Sequence, residues 1–117
     1  MIEMQLSIAY VEFGGNTGDG AYFYAFSPRT VINRKHNVDL SITFTDSTDQ
    51  RFKIIELLST DTQNEFKNPI FTPDQRSIKF TNSNTQKQLI SISAMVYDLK
   101  REVYLNCDPQ VLNSPEV

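Results

Sequence analysis

The stretch Val38-Asp-Leu-Ser-Ile-Thr-Phe-Thr45 decides the fold class of this chain. Its apolar residues Val38, Leu40, Ile42 and Phe44 alternate with polar ones. A period of two places the apolar side chains on one face of an extended segment. The stretch therefore predicts a half-buried β-strand whose other face is in water.

The same kind of pattern recurs on both sides of this stretch. Residues 2–10 alternate as clearly, and Tyr22-Phe-Tyr-Ala-Phe26 has the composition of a strand. Phe52–Leu58 is apolar with a mixed period, which is typical of a buried strand, and Pro69 and Pro73 bracket a short edge strand. We expect strands at 2–10, 21–26, 30–32, 38–45, 52–58, 70–72 and 77–81.

Residues 89–103 are ambiguous in pattern. Leu89, Ile92, Val96, Leu99 and Val103 have the spacing of a helix, whereas 90–96 alternate like a strand. We favour two strands, at 88–97 and 102–106, joined by a turn at 98–101. Eight or nine short strands separated by polar turns predict an antiparallel sandwich of two sheets, with a barrel as the alternative.

The length and composition fit one domain covering residues 1–117, in which 107–117 is an extended C-terminal tail anchored by Val111 and Leu112. The chain has 11 Lys and Arg against 14 Asp and Glu, a net charge of −3, which argues against nucleic-acid binding. We interpret Arg34-Lys35-His36, with Arg29 nearby, as a solvated hairpin turn. No signal peptide or membrane-spanning run is recognisable, so we expect a cytoplasmic protein without a membrane partner.

Catalytic and metal-binding patterns are not recognisable. Cys107 is the single cysteine and has no nearby cation, so we interpret it as a buried strand-end residue. His36 is the single histidine and lacks the partners of a zinc site or a triad. We therefore expect no enzyme, cofactor or metal, and a small hydrolase is the weakest hypothesis.

All four glycines lie within Gly14-Gly-Asn-Thr-Gly-Asp-Gly20, which we call the glycine loop. This confinement predicts that the chain makes one unusual turn and otherwise runs in ordinary conformations. The loop lacks the Lys-Ser/Thr and the following helix of a phosphate-binding loop. It is similar to a single calcium nonapeptide of a β-roll, in which Asn16 and Asp19 would bind the ion. A hairpin connection is the alternative that we favour.

The aromatic run after the loop leaves two interpretations open. Tyr22, Tyr24 and Phe26 share one face of the strand and Phe23 shares the other with Ala25, so both faces are apolar. A central strand covered on both sides fits this pattern, and so does an exposed aromatic face that binds a partner or a sugar ring. Asn16, Asp19, Tyr22 and Tyr24 are the predicted rim of a ligand site or interface.

The C-terminal segment Tyr104-Leu-Asn-Cys-Asp-Pro-Gln-Val-Leu-Asn-Ser-Pro-Glu116 resembles the signature of the DP-EP family of small bacterial proteins of unknown function. The residues that carry the resemblance are Asp108, Pro109, Asn113 and Pro115. Pro115-Glu116 stands in reverse order to the family pattern. The resemblance implies an immunoglobulin-like β-sandwich with Greek-key topology, and no catalytic residues.

Together these observations favour a non-enzymatic module that acts by binding or assembly, as a homo-oligomer. The alternative is a carbohydrate- or calcium-binding module that uses the glycine loop and the aromatic residues beside it. A small-molecule or glycan ligand fits either role.

Overall fold

The structure is a computed structural model that describes residues 1–60 and 65–115. These residues form ten strands and no helix. The strands are β1 (Ile2–Tyr10), β2 (Tyr22–Ser27), β3 (Thr30–Asn33), β4 (Val38–Phe44), β5 (Phe52–Ser59), β6 (Phe66–Phe71), β7 (Ser77–Asn82), β8 (Gln88–Asp98), β9 (Val103–Cys107) and β10 (Gln110–Asn113). The all-β class predicted from the alternation is confirmed.

The strands form two mixed sheets. The first sheet has the order β2-β1-β4-β7-β6, and the second has the order β3-β10-β8-β5, with β9 also paired to β8. Two pairs are parallel, β1 with β4 and β3 with β10. The prediction of purely antiparallel sheets is wrong at these pairs, because their strands are distant in sequence and no hairpin fixes their relative direction.

The inward-facing side chains of both sheets meet in one hydrophobic core. The alternation in Val38–Phe44 buries Leu40, Ile42 and Phe44, as expected from its period of two. The ring of Tyr22 in the first sheet packs edge-on against that of Phe52 in the second, with centroids 6.0 Å apart. Burial of such aromatic and aliphatic side chains is the main stabilising contribution of a small β domain.

Residues 89–103 form strands, and the helical alternative is wrong. The side chains of Ile90, Ile92, Ala94 and Val96 are buried on alternate positions of β8. Leu89 and Leu99, which belong to the helical spacing, are more than half exposed. The turn between β8 and β9 covers 99–102, one residue later than the predicted 98–101, because Asp98 is the last residue of β8.

The mixed period of β5 has a local cause. The register between β5 and β8 shifts between Ile54 and Glu56, where a β-bulge adds a residue. Side chains after a bulge switch faces, so a strict alternation is lost although the strand continues.

Two predictions about turns are corrected. Arg34-Lys35-His36 connects β3 with β4, which lie in different sheets, so this turn does not form a hairpin. Positive φ angles also occur outside the glycine loop, at Asn37, Asn68, Gln75, Asn84 and Glu102 among others. Asn tolerates the left-handed region because its short side chain hydrogen-bonds locally, so the glycine count underestimated the number of tight turns.

The C-terminal tail contains a strand. Residues 110–113 form β10, which is inserted between β3 and β8. Val111 is buried in the core, as its predicted role as an anchor requires, and Leu112 is half-buried. The tail is therefore a structural part of the second sheet, and its strand is the tenth, where the sequence predicts eight or nine.

β2 is a terminal strand of the first sheet, so the predicted central position covered on both sides is wrong. Tyr22 and Phe26 face the core, whereas Phe23 on the opposite face is 50% exposed. The aromatic run therefore serves the core with one face and leaves the other accessible.

Candidate binding site

The glycine loop folds back along the outer edge of β2. The backbone N–H groups of Asn16 and Thr17 donate to Tyr22 O, over 2.9 and 3.2 Å, and Tyr22 N donates to Thr17 O over 3.2 Å. Beyond these bonds, the side chain of Asn16 imitates a strand: its Nδ2 donates to Tyr24 O over 2.9 Å and its Oδ1 accepts from Tyr24 N over 2.8 Å. The loop thus satisfies the outward backbone groups of Tyr22 and Tyr24, which an edge strand otherwise leaves unpaired.

The glycine loop also reaches the second sheet. Thr17 Oγ1 donates to Asn106 O of β9 over 2.8 Å. Gly18 has φ +61°, and a Cβ at this position would lie 2.6 Å from Leu105 Cδ2 and 2.8 Å from Tyr22 Cδ2. Only glycine fits here, because both the backbone conformation and the close packing exclude a side chain. The loop joins an edge of the first sheet to an edge of the second.

A cleft of about 240 Å³ opens beside the loop, on the outer edge of β2. We call it the side cleft. Outward backbone groups alternate along a strand, so in β2 they belong to residues 22, 24 and 26. The glycine loop covers those of Tyr22 and Tyr24. The cleft therefore begins where the cap of Asn16 ends. Its lining residues are Asn16, Phe23, Tyr24, Ala25, Phe26, Arg29 and Asp108.

The lining combines aromatic rings with one group of each charge. Tyr24 is half-buried, and its ring packs edge-on against that of Phe26 with centroids 6.0 Å apart. Arg29 and Asp108 are both exposed, so their donors and acceptors are accessible to a molecule in the cleft. Ring faces together with planar donors and acceptors suit a small ligand that has both an apolar face and hydroxyl groups. The volume lies just below the range of drug-sized sites, so one ring fits.

The structure brings three predicted residues together and separates the others. Asn16 and Tyr24 of the predicted rim line the side cleft with Asp108 of the C-terminal segment. Tyr22 is buried in the core, and Asp19 is exposed on the loop but is not among the lining residues. Pro109, Asn113 and Pro115 lie outside the lining, and Pro109 and Asn113 are buried.

A charged network, which the sequence did not indicate, lies where β2, β5 and β8 meet. The fully buried Asp98 accepts from Arg51 Nε and Nη2 over 2.8 and 2.7 Å, and from the Tyr22 hydroxyl over 2.5 Å. Burial alone would raise the pKa of Asp98, but these bonds and one from Lys100 N outweigh it and lower the pKa to about 2. Arg101 Nη1 donates to the same tyrosine hydroxyl over 3.2 Å. Every acceptor oxygen of Asp98 is thus occupied within the protein, which is typical of a structural network.

Buried amide side chains form a second polar cluster at the C-terminal ends of β3, β7 and β10. Asn82 Nδ2 donates to Asn113 Oδ1 over 2.7 Å, and Asn113 Nδ2 donates back to Asn82 Oδ1 over 3.0 Å. The buried Glu65 accepts from Asn113 Nδ2 over 3.3 Å and from Thr85 N over 2.6 Å. Asn113 of the C-terminal segment therefore ties β10 to β7 across the two sheets, which is a structural role.

Cys107 and His36 are the remaining residues whose side chains could act in catalysis or bind a metal ion. Cys107 is buried at the end of β9, as predicted, and its burial raises the pKa of its thiol well above the usual range. His36 is exposed in the turn after β3. Among the described residues, no three side chains of His, Cys, Asp or Glu lie close enough together to hold a metal ion.

The described residues contain no helix that is long and apolar enough to cross a membrane. A comparison of the chain with models of known protein families and with curated proteins found no match, so the resemblance of the C-terminal segment to the DP-EP family stays a prediction.

Proposed function

We propose that this protein is a non-enzymatic binding module whose ligand site is the side cleft. The ligand class that the cleft favours is a single sugar ring or a molecule of similar size with vicinal hydroxyl groups. Tyr24 would contact its apolar face, and Arg29 and Asp108 would bind its hydroxyls as donor and acceptor.

One observation carries this proposal. Residues from two distant parts of the chain, the segment from Asn16 to Arg29 and Asp108 of the C-terminal segment, line one accessible concavity that is both aromatic and charged. A concave site with a few convergent polar groups is the default location for a small ligand. The charged network at Asp98 and the amide cluster at Asn113 are buried and serve packing.

Calcium binding by the glycine loop is less favoured than this role. Asn16 Oδ1 already accepts a hydrogen bond from Tyr24 N, so its use as a calcium ligand would compete with the cap on β2. The hydrolase hypothesis is also less favoured, because the carboxylate with the most perturbed pKa, Asp98, is enclosed and bonded to Arg51 and Tyr22.

A titration with a panel of methyl glycosides, followed by amide shifts in NMR spectra, tests the proposal. We expect the shifts to concentrate at Tyr24, Phe26 and Arg29. We expect Asp108→Asn and Arg29→Gln each to weaken binding by about tenfold, since each removes a charge-assisted hydrogen bond. Asp46→Asn, a change on an exposed turn outside the cleft lining, is the matched control.

Two outcomes would refute this function. The first is that no glycoside produces shifts at millimolar concentrations. The second is that the shifts lie at other residues and are unchanged in Asp108→Asn. A calcium-dependent rise in melting temperature that Asp19→Asn removes would instead favour the loop as the site.

Self-assembly is the second candidate function. The specific observation in its favour is the outer strand β6 of the first sheet, where Ile70 is 65% exposed. Burying such a residue against a second copy is a common route to a homo-oligomer. Light scattering coupled to size exclusion over a dilution series tests it: a strict monomer at all concentrations would refute it, and a dimer that Ile70→Thr dissociates would support it.

We propose an immunoglobulin-like sandwich of Greek-key type, as the resemblance to the DP-EP family implies. It is supported by the chain passing between the two sheets at β2–β3, β3–β4, β4–β5, β5–β6 and β7–β8. The cytoplasmic location stays a prediction, which fractionation of cells that express the protein tests.

A further inference from the structure

Within the part of the chain that the structure describes, the strand β3 ends the second sheet and has an open edge. Its strand neighbour among the described residues is β10, in parallel register. Ser114 N donates to Asn33 O over 2.8 Å, so the carbonyl of Asn33 points toward β10. Because outward groups alternate along a strand, the N–H and C=O groups of Thr30 and Ile32 point away from β10, toward the open edge.

An aliphatic row runs across the outer face of this sheet and stops at the same edge. Leu89 of β8 is paired with Leu112 of β10, which is paired with Ile32 of β3. Leu89 is 58% exposed and Ile32 is 52% exposed. A strand added at the edge would place its own side chain next to Ile32 and extend the row.

The flanks of β3 are positively charged. Residues 21–38 contain Arg29, Arg34, Lys35 and His36 but no acidic residue. All four side chains are exposed. The edge therefore combines unpaired backbone groups, an aliphatic row and a local excess of positive charge on a chain whose net charge is −3.

Among the described residues, the terminal strands β2, β5 and β6 are protected in ways that β3 is not, and Thr17 of the glycine loop contacts the outer strand β9 at Asn106 O. The glycine loop caps β2 at Tyr22 and Tyr24. β6 contains Pro69 within a register shift, and Ile54 N of β5 donates to Gln75 O of the neighbouring turn over 2.8 Å. Proline, bulges and covering loops are the usual devices that keep edges from pairing.

We propose that β3 binds an extended acidic and aliphatic segment of a partner protein, which adds to the second sheet as a further strand. The backbone of Thr30 and Ile32 would bind the segment, an aliphatic side chain would contact Ile32, and an acidic side chain two positions away would pair with Arg34. Arg29 also lines the side cleft, but Thr30, Ile32 and Arg34 do not, so Arg34→Glu tests this interface separately from the proposed function.

A second copy of this chain fits the edge less well than an acidic segment does. If two copies paired antiparallel about a twofold axis, their outward residues would face each other, with Thr30 of one copy opposite Ile32 of the other. Each copy would bring its own basic flank, with Arg29 and Arg34, to the shared edge, and like charges that lie close together repel. The charge of the edge thus selects an acidic partner over itself.

A fluorescein-labelled peptide, Thr-Asp-Thr-Ile-Thr-Asp-Thr, tests the proposal by fluorescence anisotropy and NMR titration. We expect the amide shifts to concentrate at Thr30 and Ile32 and the affinity to fall with added salt. Arg34→Glu is expected to weaken binding about fivefold or more, because it replaces an attractive charge with a repulsive one. Lys79→Glu, on the exposed face of β7, makes the same change of net charge elsewhere and should leave the affinity unchanged.

Three results would overturn the proposal. The first is that a peptide with lysines in place of the aspartates binds as tightly as the original peptide. The second is that the Arg34→Glu and Lys79→Glu variants bind the original peptide with the same affinity. The third is that the amide shifts fall outside β3. A concentration-dependent dimer that Ile32→Pro dissociates would also overturn it, since the edge would then serve a second copy. Proline at this position removes only the outward N–H, so the pairing of β3 with β10 is expected to survive.

Discussion

The substitution Asp98→Asn is expected to cost more stability than any other single polar change in the molecule. It keeps the shape of the side chain but leaves the Arg51 guanidinium, whose side chain is 16% exposed, without its counter-charge. Removing one partner of a buried ion pair costs about 3–5 kcal/mol. Because Arg51 keeps some contact with water, we expect the free energy of unfolding to fall by about 3 kcal/mol at neutral pH. Urea denaturation measures this difference.

The pH dependence of the free energy of unfolding distinguishes the loss of the Asp98 charge from a purely steric effect of the substitution. The pKa of Asp98 is about 2 in the folded protein, against an ordinary value of 3.8. The carboxylate therefore stabilises the fold fully at pH values well above 3.8, and this stabilisation is lost as the pH falls through the folded pKa. Linkage gives a loss of about 1 kcal/mol by pH 3 and about 2 kcal/mol by pH 2 in the wild-type protein. Asp98→Asn lacks this component, so the gap between the two proteins should narrow from about 3 to about 1 kcal/mol.

The control and the refuting result follow from the same linkage. Asp46→Asn, on an exposed turn, should change the free energy of unfolding by less than about 0.5 kcal/mol at either pH. If the gap for Asp98→Asn is the same at neutral and low pH, ionisation of this carboxyl does not stabilise the fold. A difference in the free energy of unfolding below about 1 kcal/mol at neutral pH would refute the assignment of a charge-dependent network.

Three further substitutions test the loop and the amide cluster by urea denaturation. Gly18→Ala should lower the free energy of unfolding by about 2 kcal/mol or more, because the new methyl group would meet both a positive φ and the side chains of the core. Gly14 also has a positive φ but has open space around it, so Gly14→Ala should cost only about 1 kcal/mol. Equal effects would refute the packing argument. Asn16→Ala should cost about 1 kcal/mol and speed hydrogen exchange at the amide of Tyr24, and unchanged exchange there would show that the cap is not formed. Asn113→Ala should cost about 2–3 kcal/mol because it leaves a buried amide without its partner, and an effect near zero would contradict the reciprocal pairing.

The sequence predicted the strands wherever local periodicity was sufficient. Val38–Phe44 and Ile2–Tyr10 alternate because one face of each is buried, and no long-range information is needed to see this. The sequence does not predict the direction in which β1 and β4 pair, because β2 and β3 come between them in the chain and β3 lies in the second sheet. Their parallel register is a property of the whole chain path, and no residue of either strand specifies it.

The site was only partly predictable for a related reason. Asn16 and Tyr24 were singled out from the glycine loop and the aromatic run, and Asp108 from the C-terminal segment, but their proximity depends on the connection between β9 and β10 reaching the edge of β2. Arg29 was interpreted as a solvated turn residue and lines the cleft. Asp98 stood at the start of a predicted turn, where polar residues are expected, so its buried partners gave no local signal.

The glycine loop connects the stability of this molecule with its proposed function. By covering the outward groups of Tyr22 and Tyr24, it prevents a second chain from pairing along most of β2, and it leaves a gap only at Phe26. A ligand in the side cleft would occupy this gap and contact Asn16, which holds the cap in place. Binding should therefore slow hydrogen exchange at Tyr24 as well as raise the melting temperature, since the ligand and the cap stabilise the same edge. A ligand that raises the melting temperature without affecting exchange at Tyr24 would have to bind elsewhere.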